Sequence, residues 1–349
     1  AILAQLGDSQ SRLHNWYSPL VLDLDGDGLE YVKINQSNAY FDLDADDYAN
    51  RAAWLSHDDG FLALDRNGDT VINNINELFG DRDGHGFDIL KQLDTNNDNV
   101  INSQDTQFSD LKIWQDLNGD GISQANELST LNQAGVTSIN LSYAAVNDQP
   151  IPDVRVVTRG SFSRTNGTTG TVEDAIFASL PEATRYVGQY ALDPEVLQVG
   201  NLKGYGTIPD LHISMSLDPT LKQAIVASLP NINLTNISSE FENILYKWAG
   251  VENITLNQID PNPSSPATWD INTGMVHFPS GGVDLSFKQL GFIMKYAGLD
   301  ILHISNGNWF EDNKLVTSGG YYKKAWDEAF SNQLVKFAVS NGYLNDYLS

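Results

Sequence analysis

The sequence contains no cysteine. That removes disulfides, thiolate metal sites and cysteine catalysis together, and it fits an exported bacterial chain that passes unfolded through a narrow secretion channel. Positive charge is scarce: 20 Lys and Arg stand against 45 Asp and Glu, for a formal net charge of −25. Such a chain repels phosphate backbones, so nucleic acid is not an expected partner. No apolar run reaches the length of a membrane span, and the opening Ala-Ile-Leu-Ala-Gln is not a signal peptide. The first residue is not Met, which suggests a fragment of something larger. The six His are scattered and no His-Glu-x-x-His, Gly-x-Ser-x-Gly, phosphate-loop or dinucleotide pattern occurs, so catalytic zinc, hydrolase and nucleotide chemistry are not expected.

What is present is acid, and it is concentrated. The stretch from Asp23 to Glu127 holds 23 of the 45 acidic residues but six of the 20 basic ones. Unneutralised, that stretch repels itself, so a chain without bound cations is expected to be partly unfolded.

The acid falls into five loops of one kind, with a carboxylate or amide oxygen at positions 1, 3 and 5. They are Asp23, Asp25, Asp27; Asp42, Asp44, Asp46; Asp65, Asn67, Asp69; Asp94, Asn96, Asp98; and Asp116, Asn118, Asp120. An EF-hand-type loop surrounds calcium this way, adding a carbonyl at position 7 and a bidentate acid at position 12. The fifth loop follows the pattern fully, with Gly121 for the turn, Ile122 at position 7 and Glu127 at position 12. The fourth offers Val100 and Asp105, with Asn99 in place of the turn glycine. In the third, Val71 is at position 7 and the acid, Glu77, arrives one place late. The first two have Ile34 and Ala53 at position 12, so their last ligand must come from elsewhere or from water. Asp81 and Asp83 are candidates for outside ligands to the third loop. The competing reading of every loop is an acidic turn exposed to solvent.

The expected fold class is α+β. A small β framework carrying EF-hand-like or dockerin-like calcium loops is followed by a mainly α second domain. The division is residues 1–18 as a lead-in, 19–180 as the calcium-binding domain and 181–349 as a helical domain of unknown role. Leu3, Leu6, Leu13 and Trp16 are available to pack in the lead-in. Leu20–Leu22 reads as a buried strand with Tyr31–Ile34 as its partner, and Ala39–Phe41 and Phe61–Leu64 as strands that precede loops two and three. Helical spacing is read over Phe87–Leu93, Thr106–Gln115 and Glu127–Leu131, which makes loops four and five a helix-flanked pair with first ligands 22 residues apart. Val136–Leu141 reads as a strand, and 150–173 as a hairpin turning at Asn166-Gly167. In the second half, Asp193-Pro194 and Asp218-Pro219 suit helix starts, and Ser239 with Glu242 suits a capping box before Ile244–Trp248. Residues 261–266 suit a linker or exposed loop, Trp269–Phe278 a hairpin, and helices are expected from Ser286 and from Tyr321. Trp309, Phe310, Tyr321, Tyr322 and Trp326 fit a core, with a sugar or peptide site as the alternative. His57 and His85 fit turn or surface positions, since calcium prefers oxygen.

Four stretches resemble the calcium-dependent self-processing module of FrpC-type RTX proteins. These are Pro19-Leu-Val-Leu-Asp-Leu-Asp-Gly-Asp-Gly28, Ser56-His-Asp-Asp-Gly-Phe-Leu-Ala-Leu-Asp-Arg-Asn-Gly-Asp69, Asn76-Glu-Leu-Phe-Gly-Asp81 and the run from Ile113 to Leu128. The resemblance covers roughly residues 19 to 175. Two later stretches, Gly204–His212 and Leu245–Gly250, look like the segment that follows this module in large RTX exoproteins. The resemblance implies type I secretion, an extracellular or cell-surface setting, several calcium ions as cofactor, and other domains of a parent RTX protein as partners. It also implies a reaction, in which an Asp carboxylate attacks its own carbonyl, breaks the bond to a following Pro, and leaves an anhydride that a Lys amine can capture. The matching dipeptide here is Ser18-Pro19, and a hydroxyl cannot form that anhydride. Three real Asp-Pro bonds follow Asp193, Asp218 and Asp260, in other contexts. The RTX nonapeptide repeat is absent. The expected function is therefore a calcium-dependent folding module without cleavage. The alternatives are a peptide- or glycan-binding region of an RTX adhesin, and a module active at another bond.

Overall fold

The computed structural model describes residues 18–80, 85–261, 268–279, 282–299, 302, 308–311 and 314–345. The lead-in residues Leu3, Leu6, Leu13 and Trp16, the candidate ligands Asp81 and Asp83, and residues 262–266 of the expected linker lie outside the described residues. Described residues up to Leu180 form one compact unit, and those from Pro181 onward form another.

A nine-stranded sheet organises the first unit. Its strands run in the order Val100–Asn102, Val136–Asn140, Val154–Arg164, Thr169–Phe177, Leu20–Leu22, Gly60–Leu64, Leu111–Trp114 and Leu128–Thr130, with Ala144–Ile151 added alongside Val154–Arg164. Leu20–Leu22 lies at its centre, antiparallel to Thr169–Phe177 on one side and Gly60–Leu64 on the other. Side chains alternate across the sheet, as strand geometry requires. Leu20, Leu22, Leu62, Leu64, Leu111 and Ile113 fill the core on one face. Val21, Phe61, Ala63, Trp114, Ala175 and Phe177 fill the core on the other. Because both faces are covered, these strands read as unbroken apolar runs.

Mixed α+β architecture matches the expectation, but the β part is larger than a small framework. Thr106–Asp110 is a turn and Leu111–Trp114 a strand, not one helix, and Leu128–Thr130 is a strand rather than a third helix. Loops four and five are thus carried by strands as well as by the short helix Gly86–Leu90 with its 3₁₀ extension Lys91–Leu93. Tyr31–Val32 pairs with Trp54–Leu55 and not with Leu20–Leu22, whose two edges are already taken. The Val154–Arg164 and Thr169–Phe177 hairpin turns at Gly167, whose φ is 82°.

The second unit is mainly helical. Helices span Leu211–Leu217, Pro219–Ser228, Ile237–Trp248, Leu256–Ile259, Phe287–Tyr296 and Ser318–Ser340, beside two small antiparallel sheets. Asp218 caps its helix by accepting from the N–H groups of Thr220 and Leu221, and Asp193 accepts from Glu195 at the start of the 3₁₀ turn Pro194–Gln198. Ser286 and Gln289 form a capping box. The box expected at Ser239 does not form: the helix begins earlier, with Asn236 as its cap, and the Ser239 hydroxyl donates to the Asn236 carbonyl. Tyr321, Tyr322 and Trp326 are buried in the core with Phe241, Phe292 and Phe337. The side chains of Trp309 and Phe310 are outside the described set.

Candidate functional site

The five acidic loops share one backbone conformation. Position 4 is left-handed in all of them: Gly26, Ala45, Gly68, Asn97 and Gly119 have φ of 97°, 57°, 77°, 59° and 68°. Position 6 is left-handed too, at Gly28, Asp47, Thr70, Asn99 and Gly121, with φ of 113°, 71°, 70°, 67° and 77°. Every non-glycine residue with positive φ among the described residues is one of these ten. Each costs about 1–3 kcal/mol and persists only where its surroundings over-determine it.

Side-chain oxygens wrap the backbone inward in a repeated way. The position-1 carboxylate accepts from the position-6 N–H in loops two to five, at Asp42, Asp65, Asp94 and Asp116 over 2.8–3.1 Å. The position-5 carboxylate accepts from the position-7 N–H at Asp46, Asp69, Asp98 and Asp120, with Tyr48, Val71, Val100 and Ile122 donating over 2.8–2.9 Å. Position 3 accepts from the position-5 N–H at Asp25, Asn67, Asn96 and Asn118.

The late acid of each of the last three loops closes it by bridging two N–H groups. Glu127 accepts from Leu117 at 3.0 Å and Gln124 at 3.1 Å. Asp105 accepts from Thr95 at 2.8 Å and Asn102 at 3.0 Å. Glu77 does the same with Arg66 at 3.3 Å and Asn73 at 2.9 Å, although it lies one place later in sequence. Positions 2 and 9 are the donors each time.

Loop one receives an acid that sequence reading missed. Asp59 is 1% exposed and stands beside Asp23 and Asp25, with one carboxylate oxygen from each within 4.8 Å of the others. Its oxygens accept from the N–H groups of Leu24 and Glu30 at 3.1 and 3.2 Å, and burial pushes its carboxyl up to about 7. A second group shares it, formed with Glu30 and Asp58. Position 5 of this loop, Asp27, is not in the Asp23 group. The Arg164 guanidinium donates to the carbonyls of Asp23 and Leu24 and stands 3.6 Å from Asp23 Oδ1.

Loops two and three also gather three carboxylates within 4.8 Å, as Asp42, Asp44, Asp46 and as Asp65, Asp69, Glu77. Loops four and five, which best match the sequence pattern, form no such group: like loop three they have Asn at position 3, but their three acids do not all come within 4.8 Å of one another. The donor chemistry of all five is oxygen only, which suits a hard cation such as calcium. His57 is exposed in a turn and is 3.7 Å from Asp58.

Loops two, three and five touch one another. Tyr40 N–H donates to the Asp120 carbonyl at 3.1 Å, Ile72 N–H to the Ser123 hydroxyl at 2.7 Å, and Ile75 N–H to the Asp42 carbonyl at 3.0 Å. Loop five also reaches the aromatic core: Trp54 Nε1 donates to Asp116 Oδ2 at 2.8 Å and Trp114 Nε1 to Glu127 Oε2 at 3.4 Å.

Ser18 and Pro19 are both buried at the head of the central strand, Ser18 completely. The Pro19 carbonyl accepts from Ala175 N–H at 3.2 Å, and Leu20 N–H donates to the Phe79 carbonyl at 2.8 Å. The bond preceding Pro19 therefore lies between the sheet and the Phe79–Gly80 segment.

Comparison with known proteins adds two findings. Residues 20–178 match the SPM domain family. The chain is 34% identical, over 302 residues, to the iron-regulated protein FrpA of Neisseria meningitidis serogroup C, covering 84% of this chain and 26% of that protein. The chain thus spans about a quarter of that curated relative's length. Being longer than the first unit, the alignment takes in part of the second as well. The SPM match falls within the first unit, the stretch in which the resemblance is read.

Proposed function

We propose that the first unit is a calcium-dependent folding module of a large RTX protein delivered outside the cell by type I secretion. It is built like the Asp-Pro self-processing module and is silent in cleavage, because Ser18 stands where that reaction needs a carboxylate. The observation that carries this reading is the conformation common to all five loops, left-handed at positions 4 and 6 even where the residue is Ala45 or Thr70.

Asp23, Asp25 and Asp59 would hold one ion, Asp42, Asp44 and Asp46 a second, and Asp65, Asn67, Asp69 and Glu77, with the carbonyl of Val71, a third. Asp94, Asn96, Asp98 and Asp105, with the carbonyl of Val100, and Asp116, Asn118, Asp120 and Glu127, with the carbonyl of Ile122, would hold the rest. Calcium there supplies positive charge, which offsets the repulsion among carboxylates that the fold brings together. The chain's own contribution is the set of backbone donors that keep these oxygens turned inward.

The test is far-UV circular dichroism with intact mass, in EDTA and in excess calcium. A calcium-driven gain of structure with an unchanged mass is expected. Absence of any calcium response would remove the folding role, and a fragment mass would remove the silent assignment.

A further inference from the structure

We infer that Asp174 is a positioning residue for the Ser18–Pro19 peptide bond, acting through Gly86 and the Phe79–Gly80 segment, and that the holder it belongs to is complete in this chain. The inference rests on the self-processing reading above and assigns that reading a residue on the far side of the sheet strand.

The contact chain can be followed atom by atom. Asp174 is fully buried and is the direct cross-strand partner of Leu20, two residues after Ser18. Its Oδ2 accepts from Gly86 N–H at 2.8 Å. Gly86 is packed so closely that a Cβ on it would lie 2.7 Å from the Phe79 carbonyl oxygen and 2.8 Å from Leu20 Cγ. Phe79 accepts from Leu20, and its neighbour Gly80 presses on the bond itself. A Cβ at Gly80 would lie 1.4 Å from the Ser18 carbonyl oxygen, 2.3 Å from its carbon and 2.9 Å from Pro19 nitrogen. Gly80 has no side chain because the main chain of that one peptide bond occupies the space.

Burying a carboxylate costs free energy that its contacts must offset. The contact to Gly86 holds a residue packed against the Phe79 carbonyl, in the segment that grips the bond. Holding a reacting carbonyl in one geometry is a recognised source of rate.

In the Ser18→Asp variant the missing group is restored. A side-chain carboxylate oxygen attacks the carbonyl carbon of the same residue, and a C–O bond forms as the C–N bond to Pro19 breaks. The nitrogen leaves with the bonding pair and takes a proton from water. A second water then opens the cyclic anhydride and leaves a free C-terminal aspartate.

The experiment follows the full chain by intact mass in excess calcium, with circular dichroism and thermal unfolding on the same samples. Ser18→Asp is expected to split between residues 18 and 19. Adding Asp174→Asn, which keeps an oxygen acceptor for Gly86, should leave the rate within about threefold, whereas Asp174→Ala should slow it at least about tenfold at unchanged calcium response. Gly80→Ala in the same background should abolish the split while the circular dichroism is retained, which covers the case in which Asp174→Ala does not fold. A calcium-folded Ser18→Asp protein that stays intact overturns the inference. So does equal cleavage with Asp174→Ala, which would make Asp174 merely structural, or a loss with Asp174→Asn, which would make its charge the operative property. If calcium produces no structural change in any variant, the folding role fails first, and that outcome is visible separately in the dichroism.

Discussion

Trp54 donates its indole N–H to Oδ2 of Asp116 across 2.8 Å in the buried interior, tying position 1 of loop five to the aromatic core. Trp54 packs against Phe61 at 4.8 Å between ring centroids and lies edge-on to Trp114 at 5.7 Å. Replacing Trp54 by Phe keeps an aromatic ring while removing the donor and part of the indole's volume. The buried carboxylate then loses a partner, which costs about 1–3 kcal/mol, read as a shift in the urea midpoint in calcium. Since Trp114 meets Glu127 as well, calcium titration of the wild type should change tryptophan emission, and the Trp54→Phe protein should keep only part of that change.

Two glycines of loop five separate strain from contact. Gly119 and Gly121 have φ of 68° and 77°, but a Cβ at Gly119 meets nothing within 4 Å, whereas one at Gly121 would lie 2.5 Å from the Tyr40 carbonyl oxygen. Gly119→Ala should therefore cost roughly 1 kcal/mol from backbone strain alone. Gly121→Ala should cost more and weaken loop two along with loop five, because Tyr40 leads into loop two. Calorimetric calcium titration of both variants distinguishes a loss at one loop from a loss at two.

Asp59 sets a pH dependence. Its carboxyl is held up at about 7 by burial, above the ordinary carboxylate value near 4 in the unfolded chain. Between those values the calcium-free folded state binds more protons, so whatever structure survives in EDTA falls further as pH rises from about 4 to about 7. With calcium present the ionised form is the one needed, and affinity at loop one should rise over the same interval. Asp59→Asn should flatten both trends; circular dichroism in EDTA and calcium titration, each at pH 5 and 7.5, check them.

Glu77 offers a test of the late acid. Glu77→Ala removes both acceptors that bridge Arg66 and Asn73. Calcium stoichiometry should drop by one ion, and Ile72, bonded to Ser123 of loop five, should transmit a smaller loss of affinity there.

The loops were legible because position-by-position side chains define them locally, and so was the hairpin at Gly167. Asp59 was not, since it lies 36 residues from Asp23 and looks like an ordinary Asp-Asp-Gly turn until the sheet brings Gly60 opposite Leu22. The helix read over Thr106–Gln115 failed for a related reason. Phe108, Leu111 and Trp114 fall at helical spacing, yet Leu111–Trp114 is a strand covered on both faces, and periodicity alone does not separate the two. The Gly80 contact with Ser18 was equally invisible, because only the folded backbone shows what a glycine makes room for.

The central claim is that these loops hold calcium and that the fold depends on it. Native mass spectrometry of the EDTA-stripped chain, titrated with calcium against a magnesium control, counts the ions directly. The account predicts several tightly held calcium ions and a narrowing of the charge-state distribution as they bind, with magnesium unable to substitute. A chain that keeps a compact distribution in EDTA and takes up no calcium beyond nonspecific adducts would contradict it.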